Sequence, residues 1–358
     1  MNKQALIKDM ILKIQKASIK DFNVMEVCGT HTYAISKLGI RNIIEQKINL
    51  MSGPGCPVCV TSETYINSAI ELLQQPNVIL TTFGDMMKVK GSKENLTEQR
   101  EKGKDIRVVY SPLDSIKLAE ENSDKEIVFL AVGFETTAPL IALAVKTAKA
   151  KALKNVSFLI GMKRMEPILH HILSDAHHNI QGLICPGHVA VIKGEEYFKF
   201  ITEQYNIPAV IAGFEAIDII GALLFLIKQQ DKDKKSFKNL YKDCVKPYGN
   251  EKANQLMDEM FTYCESEWRG IGRIKASGFS LRENYKNYDA AVKFGIKSGI
   301  NTVKACVCSE ILLGKKPPSK CELFGKSCTP ESPVGPCMVS AEGACSIFYK
   351  YKGSEKYE

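Results

Sequence analysis

Twelve cysteines stand in this chain of 358 residues. Seven of them fall into three groups whose spacing suits metal or thiol redox chemistry. The densest group is Cys321, Cys328, Cys337 and Cys345, spaced C-x6-C-x8-C-x7-C in a stretch broken by Pro330, Pro333, Gly335, Pro336 and Gly343. Four thiolates presented by irregular loops suit a four-iron, four-sulfur (4Fe-4S) cluster, whose compact core accepts ligands converging from several directions. Structural zinc more often draws on knuckles with two to four residues between ligands, and these four cysteines form none; zinc remains the alternative. Cys306 and Cys308 lie just upstream in a tight C-x-C and rank second as ligands. Cys185, Cys244 and Cys264 read as packing or surface thiols, and Trp268 as core.

Two further motifs each follow a short β-branched run. Val24 to Val27 leads into Cys28-Gly29-Thr30-His31-Thr32, and Ile48 to Ser52 leads into Gly53-Pro54-Gly55-Cys56-Pro57-Val58-Cys59. Both read as strand-to-helix turns, and parallel strands place such turns together at the carboxyl edge of one sheet, where α/β folds bind ligands. Cys28 offers a soft thiolate ligand for low-spin iron. His31 can serve it as hydrogen-bond partner, proton donor or second ligand. Cys56 and Cys59 form a C-x-x-C at a helix start, where the partial positive charge favours thiolate and hence redox exchange. Lone thiols are also common as small buried hydrophobes, so it is the matching positions of the two motifs that favour function.

Glu135 and His188 are weaker candidates of the same kind. Each follows a strand, Glu135 in Gly133-Phe134-Glu135-Thr136 and His188 in Cys185-Pro186-Gly187-His188, and His188 suits proton transfer. Thr137 reads as an N-cap with Pro139 in the first helical turn. His170, His171, His177 and His178 are expected on one helix and are read as solvated rather than metal-binding.

The elements that would hold these residues alternate. Eight strand-like runs interleave with helical stretches: 24–27, 48–52, 78–82, 106–110, 127–132, 157–160, 182–185 and 209–212. That alternation implies parallel sheets. Taken in chain order the runs divide into two sets of four, echoed by Gly-Phe-Glu at 133–135 and 213–215. The expected organisation is an amphipathic N-terminal helix over 1–22 and α/β domains over 23–124 and 125–228. A helical and cysteine-rich domain over 229–358 completes it, with Glu251 to Glu265 and Tyr285 to Ile296 helical.

Composition excludes several classes. The 48 basic and 40 acidic residues leave a formal charge of +8 spread along the chain, without the basic stripe that nucleic-acid binding needs. The longest apolar stretch, Ile219 to Ile227, is far short of the roughly 20 residues that span a bilayer. So many cysteines without an export signal point to a reducing compartment, the cytoplasm.

Together, CGTHT at 28–32, GPGCPVC at 53–59, TFGDMM at 82–87, GFETTAP at 133–139, PGHV at 186–189 and the 321–345 tail resemble the HypD family of hydrogenase maturation factors. That resemblance implies a redox scaffold for assembling the Fe(CN)2CO unit of nickel-iron hydrogenases, not a conventional turnover enzyme. Iron would be held between Cys28 and a cysteine of a small HypC-type chaperone. Cyanide would come from a HypE-type donor, with Cys56, Cys59 and a 4Fe-4S cluster at Cys321, Cys328, Cys337 and Cys345 handling electrons. One departure stands out: Lys88-Val89-Lys90-Gly91 replaces the family's usual arginine and proline, which puts an anion clamp there in doubt. A cluster-linked disulfide reductase and a zinc-stapled interaction module are the competing readings.

Overall fold

The computed structural model describes residues 3–44, 46–296 and 306–352, so Met1 and Asn2 of the expected N-terminal helix lie outside it. Its strands are β1 (Phe22–Glu26), β2 (Ile48–Ser52), β3 (Val78–Thr82), β4 (Ile106–Val108), β5 (Glu126–Ala131), β6 (Val156–Ile160), β7 (Gly182–Cys185), β8 (Ala209–Ile211), β9 (Phe237–Asn239), β10 (Phe261–Trp268) and β11 (Gly272–Leu281). All eight expected strands form, and all pair in parallel. Their near-continuous apolar character is the reason: β3 is buried at every position and β5 at all but its first residue, as parallel sheets with both faces covered require.

The grouping of the strands differs from chain order. One sheet has the order β2-β1-β7-β8-β9 and the other β4-β3-β5-β6. The chain therefore leaves the first sheet after β2, builds the whole second sheet, and returns to lay β7 against β1. Two consecutive sets of four strands do not occur, because local patterning fixes a strand's existence while its partner is chosen by long-range packing. The amphipathic Lys3–Lys16 packs its apolar face, including the fully buried Ile14, with Ile219, Ile220 and Leu223 of the helix Ala216–Ile227.

Beyond residue 228 the expectation of helix and loop needs correction. The helix Glu251–Met260 ends where β10 begins, and β10 and β11 form an antiparallel hairpin. Residues 283–288 form a 3-10 turn followed by a short helix, Ala290–Lys293, in place of one helix over 285–296. In β10 only the two terminal residues are buried, so the hairpin carries little of the apolar alternation that marks a strand. His177 and His178 also fall outside the helix Met165–Leu173 that carries His170 and His171.

Lys163 fastens this hairpin to the second sheet. Its Nζ donates to Ser266 Oγ at 2.9 Å and to the Glu267 carbonyl, and its backbone bridges Gly278. Burial pulls its pKa from the ordinary 10.5 down to about 7, and a neutral amine has two N–H groups for those two acceptors. Because the unfolded lysine keeps its proton up to its ordinary pKa, folding stability rises with pH above about 7. We expect thermal unfolding between about pH 7 and about pH 8.5 to show wild type gaining roughly 1 kcal/mol per pH unit relative to Lys163→Met. Parallel pH profiles for the two proteins would refute a neutral Lys163.

Candidate functional site

The parallel order β2-β1-β7-β8 aligns four turns along one carboxyl edge: Gly53 to Cys59, Cys28 to Thr32, Pro186 to His188, and Gly213 to Glu215. Glu26 at the end of β1 registers with Ser52 at the end of β2, so the first two turns start level. They touch through backbone. Gly53 N–H donates to the Glu26 carbonyl at 2.7 Å, and a Cβ added to Gly55 would lie 2.3 Å from Cys28 N. Only glycine permits that approach.

Cys28 occupies the N-cap position of the helix Gly29–Lys37 and is 7% exposed. Burial pushes its pKa up to about 12, with the backbone amides of His31 and Thr30 opposing the shift. Beneath it lies the fully buried Glu26, raised to about 7 by burial, which accepts from Cys28 N–H at 3.2 Å and Thr32 Oγ1 at 2.6 Å. Cys28 therefore rests as a neutral thiol. A soft cation binding there displaces the thiol proton.

His31 is fully buried with its ring 4.6 Å from Phe214, and His188 stacks on the same phenyl at 4.3 Å. His31 Nε2 lies 3.0 Å from the Gly213 carbonyl, which assigns the proton to Nε2 and leaves Nδ1 as a buried acceptor without a partner among the described residues. Burial lowers its pKa to about 4, which favours the neutral imidazole with a lone pair on Nδ1. His188 is exposed.

The C-terminal tail closes over these turns. Glu342, between Cys337 and Cys345, accepts from Thr30 Oγ1 at 2.7 Å and fills the space beside Gly29. The short helix Pro336–Val339 packs on Pro57–Val60, whose N-cap is Cys56. Cys56 and Cys59 sulfurs are 2.6 Å apart, and Cys59 Sγ also lies 3.9 Å from the carbonyl of Pro336, the residue before Cys337. Burial pushes the Cys59 thiol well up, so its helix-start position does not leave it a thiolate at rest. Cys337 in turn reaches Cys308 and Cys345. One small apolar pocket gathers Cys306, Cys308, Cys321, Cys328, Cys337 and Cys345, with Ile311, Phe324 and Met338 around them. Six sulfurs in a dry setting fit an iron-sulfur cluster with thiols to spare.

The model of the hydrogenase formation hypA family, HypD, matches residues 5–352. The chain belongs to the HypD family. It is 41% identical over 355 residues to a putative hydrogenase expression/formation protein of Methanocaldococcus jannaschii, covering 98% of this chain and 99% of that one. It is 38% identical to the hydrogenase maturation factor HypD of Rhodobacter capsulatus (95% and 92% covered) and 37% identical to that of Escherichia coli (94% and 91%). Membership in the HypD family makes this chain a hydrogenase maturation factor. No helix among its described residues is long and apolar enough to cross a membrane.

Glu135 belongs to the second sheet, after β5. Its Oε1 accepts from Met165 N–H at 2.8 Å and Tyr197 hydroxyl at 2.6 Å, while Oε2 is buried without a partner among the described residues. Thr137 is the N-cap of Ala138–Ala150, as expected, but its side chain makes no capping bond. Sequence reasoning passed over Phe214 and Glu342, because neither has a spacing signal; the repeated Gly-Phe-Glu at 213–215 was the one available pointer to Phe214.

The contact at Gly55 yields a direct test. Gly55→Ala drives a methyl into the Cys28 backbone, and overpacking of that kind costs about 1–3 kcal/mol. Gly39→Ala, where a Cβ meets nothing within 4 Å but φ is +64°, provides a strain-only comparison. Chemical denaturation should show Gly55→Ala destabilised, together with faster alkylation of Cys28. Unchanged alkylation in a folded Gly55→Ala variant would contradict the contact.

Proposed function

We propose that this HypD-family chain is the scaffold on which the Fe(CN)2CO unit is assembled. Cys28 holds the iron jointly with a cysteine of a HypC-type chaperone, and a HypE-type donor supplies cyanide. Cys56 and Cys59 act as the local two-electron thiol pair. A 4Fe-4S cluster at Cys321, Cys328, Cys337 and Cys345 supplies an electron store when bound. The observation that carries this reading is the run of contacts from the Cys28 turn through Gly55 to Cys56 and Cys59, and from Cys59 to Pro336 at the start of the helix that holds Cys337. Closing Cys56 and Cys59 into a disulfide releases two electrons and two protons, and their 2.6 Å separation lets the bond form with little backbone movement. His31 offers its Nδ1 lone pair beside the site, and His188 provides an exposed group for proton exchange with solvent.

Infrared spectroscopy of protein purified anaerobically with its chaperone tests the scaffold. Cyanide and carbonyl stretches are expected in wild type and in Cys244→Ala, an exposed thiol, and are expected to vanish in Cys28→Ala. Equal spectra from Cys28→Ala and Cys244→Ala would sink the proposal. Turnover of a general disulfide substrate that survives Cys28→Ala would favour the cluster-linked disulfide reductase, and colourless zinc-containing protein the interaction module.

The contacts of Cys337 support a second ligand set. Cys337 meets Cys308, Cys345 and Cys59, and Cys306 lies in the same pocket beside Cys308. Cys306 can then complete the quartet while Cys337 exchanges with Cys59. Iron and sulfide analysis of Cys306→Ser and Cys337→Ser decides between them: the true ligand's variant loses the cluster, and the other keeps at least half.

A further inference from the structure

The carboxyl edge of the second sheet carries a buried lysine that the proposed iron chemistry does not use. Open α/β sheets take their ligands beyond the carboxyl ends of their strands. Lys163 sits there, just past β6, and is 4% exposed; its backbone N–H donates to the Gly133 carbonyl at 2.9 Å. Its side chain lines a cavity of about 220 Å3, walled on one side by Ser62 and Ser68 at the helix Glu63–Leu72 and on the other by Glu265, Glu267 and Arg273 of the β10–β11 hairpin. Both hydrogen-bond acceptors of its Nζ, Ser266 Oγ and the Glu267 carbonyl, are neutral, and the centre of the Trp268 ring lies 5.3 Å away. An ammonium taken out of water without an anion bonded to it is costly, so burial favours the amine. Two N–H groups satisfy the two acceptors. A lone pair is left over.

We propose that Lys163 is a nucleophilic lysine whose cavity takes a small neutral aldehyde or ketone and binds it covalently as an imine. The lone pair attacks the carbonyl carbon, both amine protons leave with the carbonyl oxygen as water, and a C=N bond replaces the C=O bond. No electrons are gained or lost. Desolvated lysines are activated for this attack because the amine, not the ammonium, is the nucleophile. The charge of the lining selects the guest. With Lys163 neutral, the charged side chains of the cavity are two carboxylates, Glu265 and Glu267, and one guanidinium, Arg273, paired with Glu265 at 3.4 Å. That balance opposes an anionic guest and favours a protonated imine, which returns a positive charge to the nitrogen. A protonated imine has one N–H in place of two. Binding the guest therefore releases one of the two bonds by which Lys163 holds the hairpin.

Reductive trapping separates a nucleophile from a mere staple, which would be shut away from reagents and among the slowest lysines to react. Full-length wild-type protein is incubated with propanal and cyanoborohydride, which reduces an imine to a stable propyl-lysine, and each lysine is followed by peptide mass mapping. Exposed lysines are neutral in only about one molecule in 2,500 at pH 7. Lys163 is therefore expected to be propylated at least about tenfold faster than the fastest of them. That advantage should shrink by about tenfold per pH unit above about pH 7, because Lys163 is by then already neutral while exposed lysines are still losing protons. Pyridoxal phosphate, a bulkier and anionic aldehyde, should modify exposed lysines and spare Lys163. Because every readout is made on wild type, no variant has to fold. Propylation of Lys163 no faster than that of exposed lysines overturns the inference, and so does modification of Lys163 by pyridoxal phosphate as fast as theirs.

Discussion

Everything in the site follows from the pairing of β1 with β2. Two parallel strands in register through Glu26 and Ser52 are separated by about 4.8 Å, so the turns they feed have no room to diverge. Gly55 meets that constraint by having no side chain. From this contact the rest is propagated: Cys59 is set where the helix Pro336–Val339 can cover it, and Glu342 is set over the N-terminus of Gly29–Lys37. The cysteine-rich tail has little regular structure of its own. Its order comes from lying on an edge that the sheet has already shaped.

Burial governs the electrostatics of the resting site. Cys28 and Cys59 are held as thiols, Glu26 is pushed toward its neutral form, and His31 is an uncharged imidazole. The low-dielectric environment that makes each lone charge costly also strengthens any pair that forms. A cation arriving at Cys28 converts a penalised thiolate into a stabilised one. Phe214, in ring contact with both His31 and His188, adds an apolar surface beside them.

The sequence made the strands and their turns legible, because β-branched runs such as Val78–Thr82 carry their signal locally. Cys28, Cys56 and Cys59 could be placed on one edge from strand-to-turn order alone. What stayed hidden depends on pairing across long stretches of chain. His188 follows the strand that neighbours β1 only because β7 returns to β1 after the second sheet is complete, and nothing near residue 182 encodes that choice. The β10–β11 hairpin escaped for another reason: its outward face is polar and its start, FTYC, continues a run of helix formers. Lys163 and Glu342 have roles set wholly by packing, so no spacing rule identifies them.

The interrupted first sheet bears on the order in which the protein is made. The turns bearing Cys28 and Cys56 leave the ribosome early, yet the strands that wall them, β7 and β8, and the tail that covers them arrive only after the second sheet has been synthesised. Domains acquire structure as their parts emerge, and distant strand pairing is slow because the intervening loop must first be closed. A nascent chain therefore exposes its first cysteines without the imidazole of His188, the Phe214 ring or the Glu342 cover. The cover over the Cys28 turn is therefore complete only once Glu342 has joined that edge.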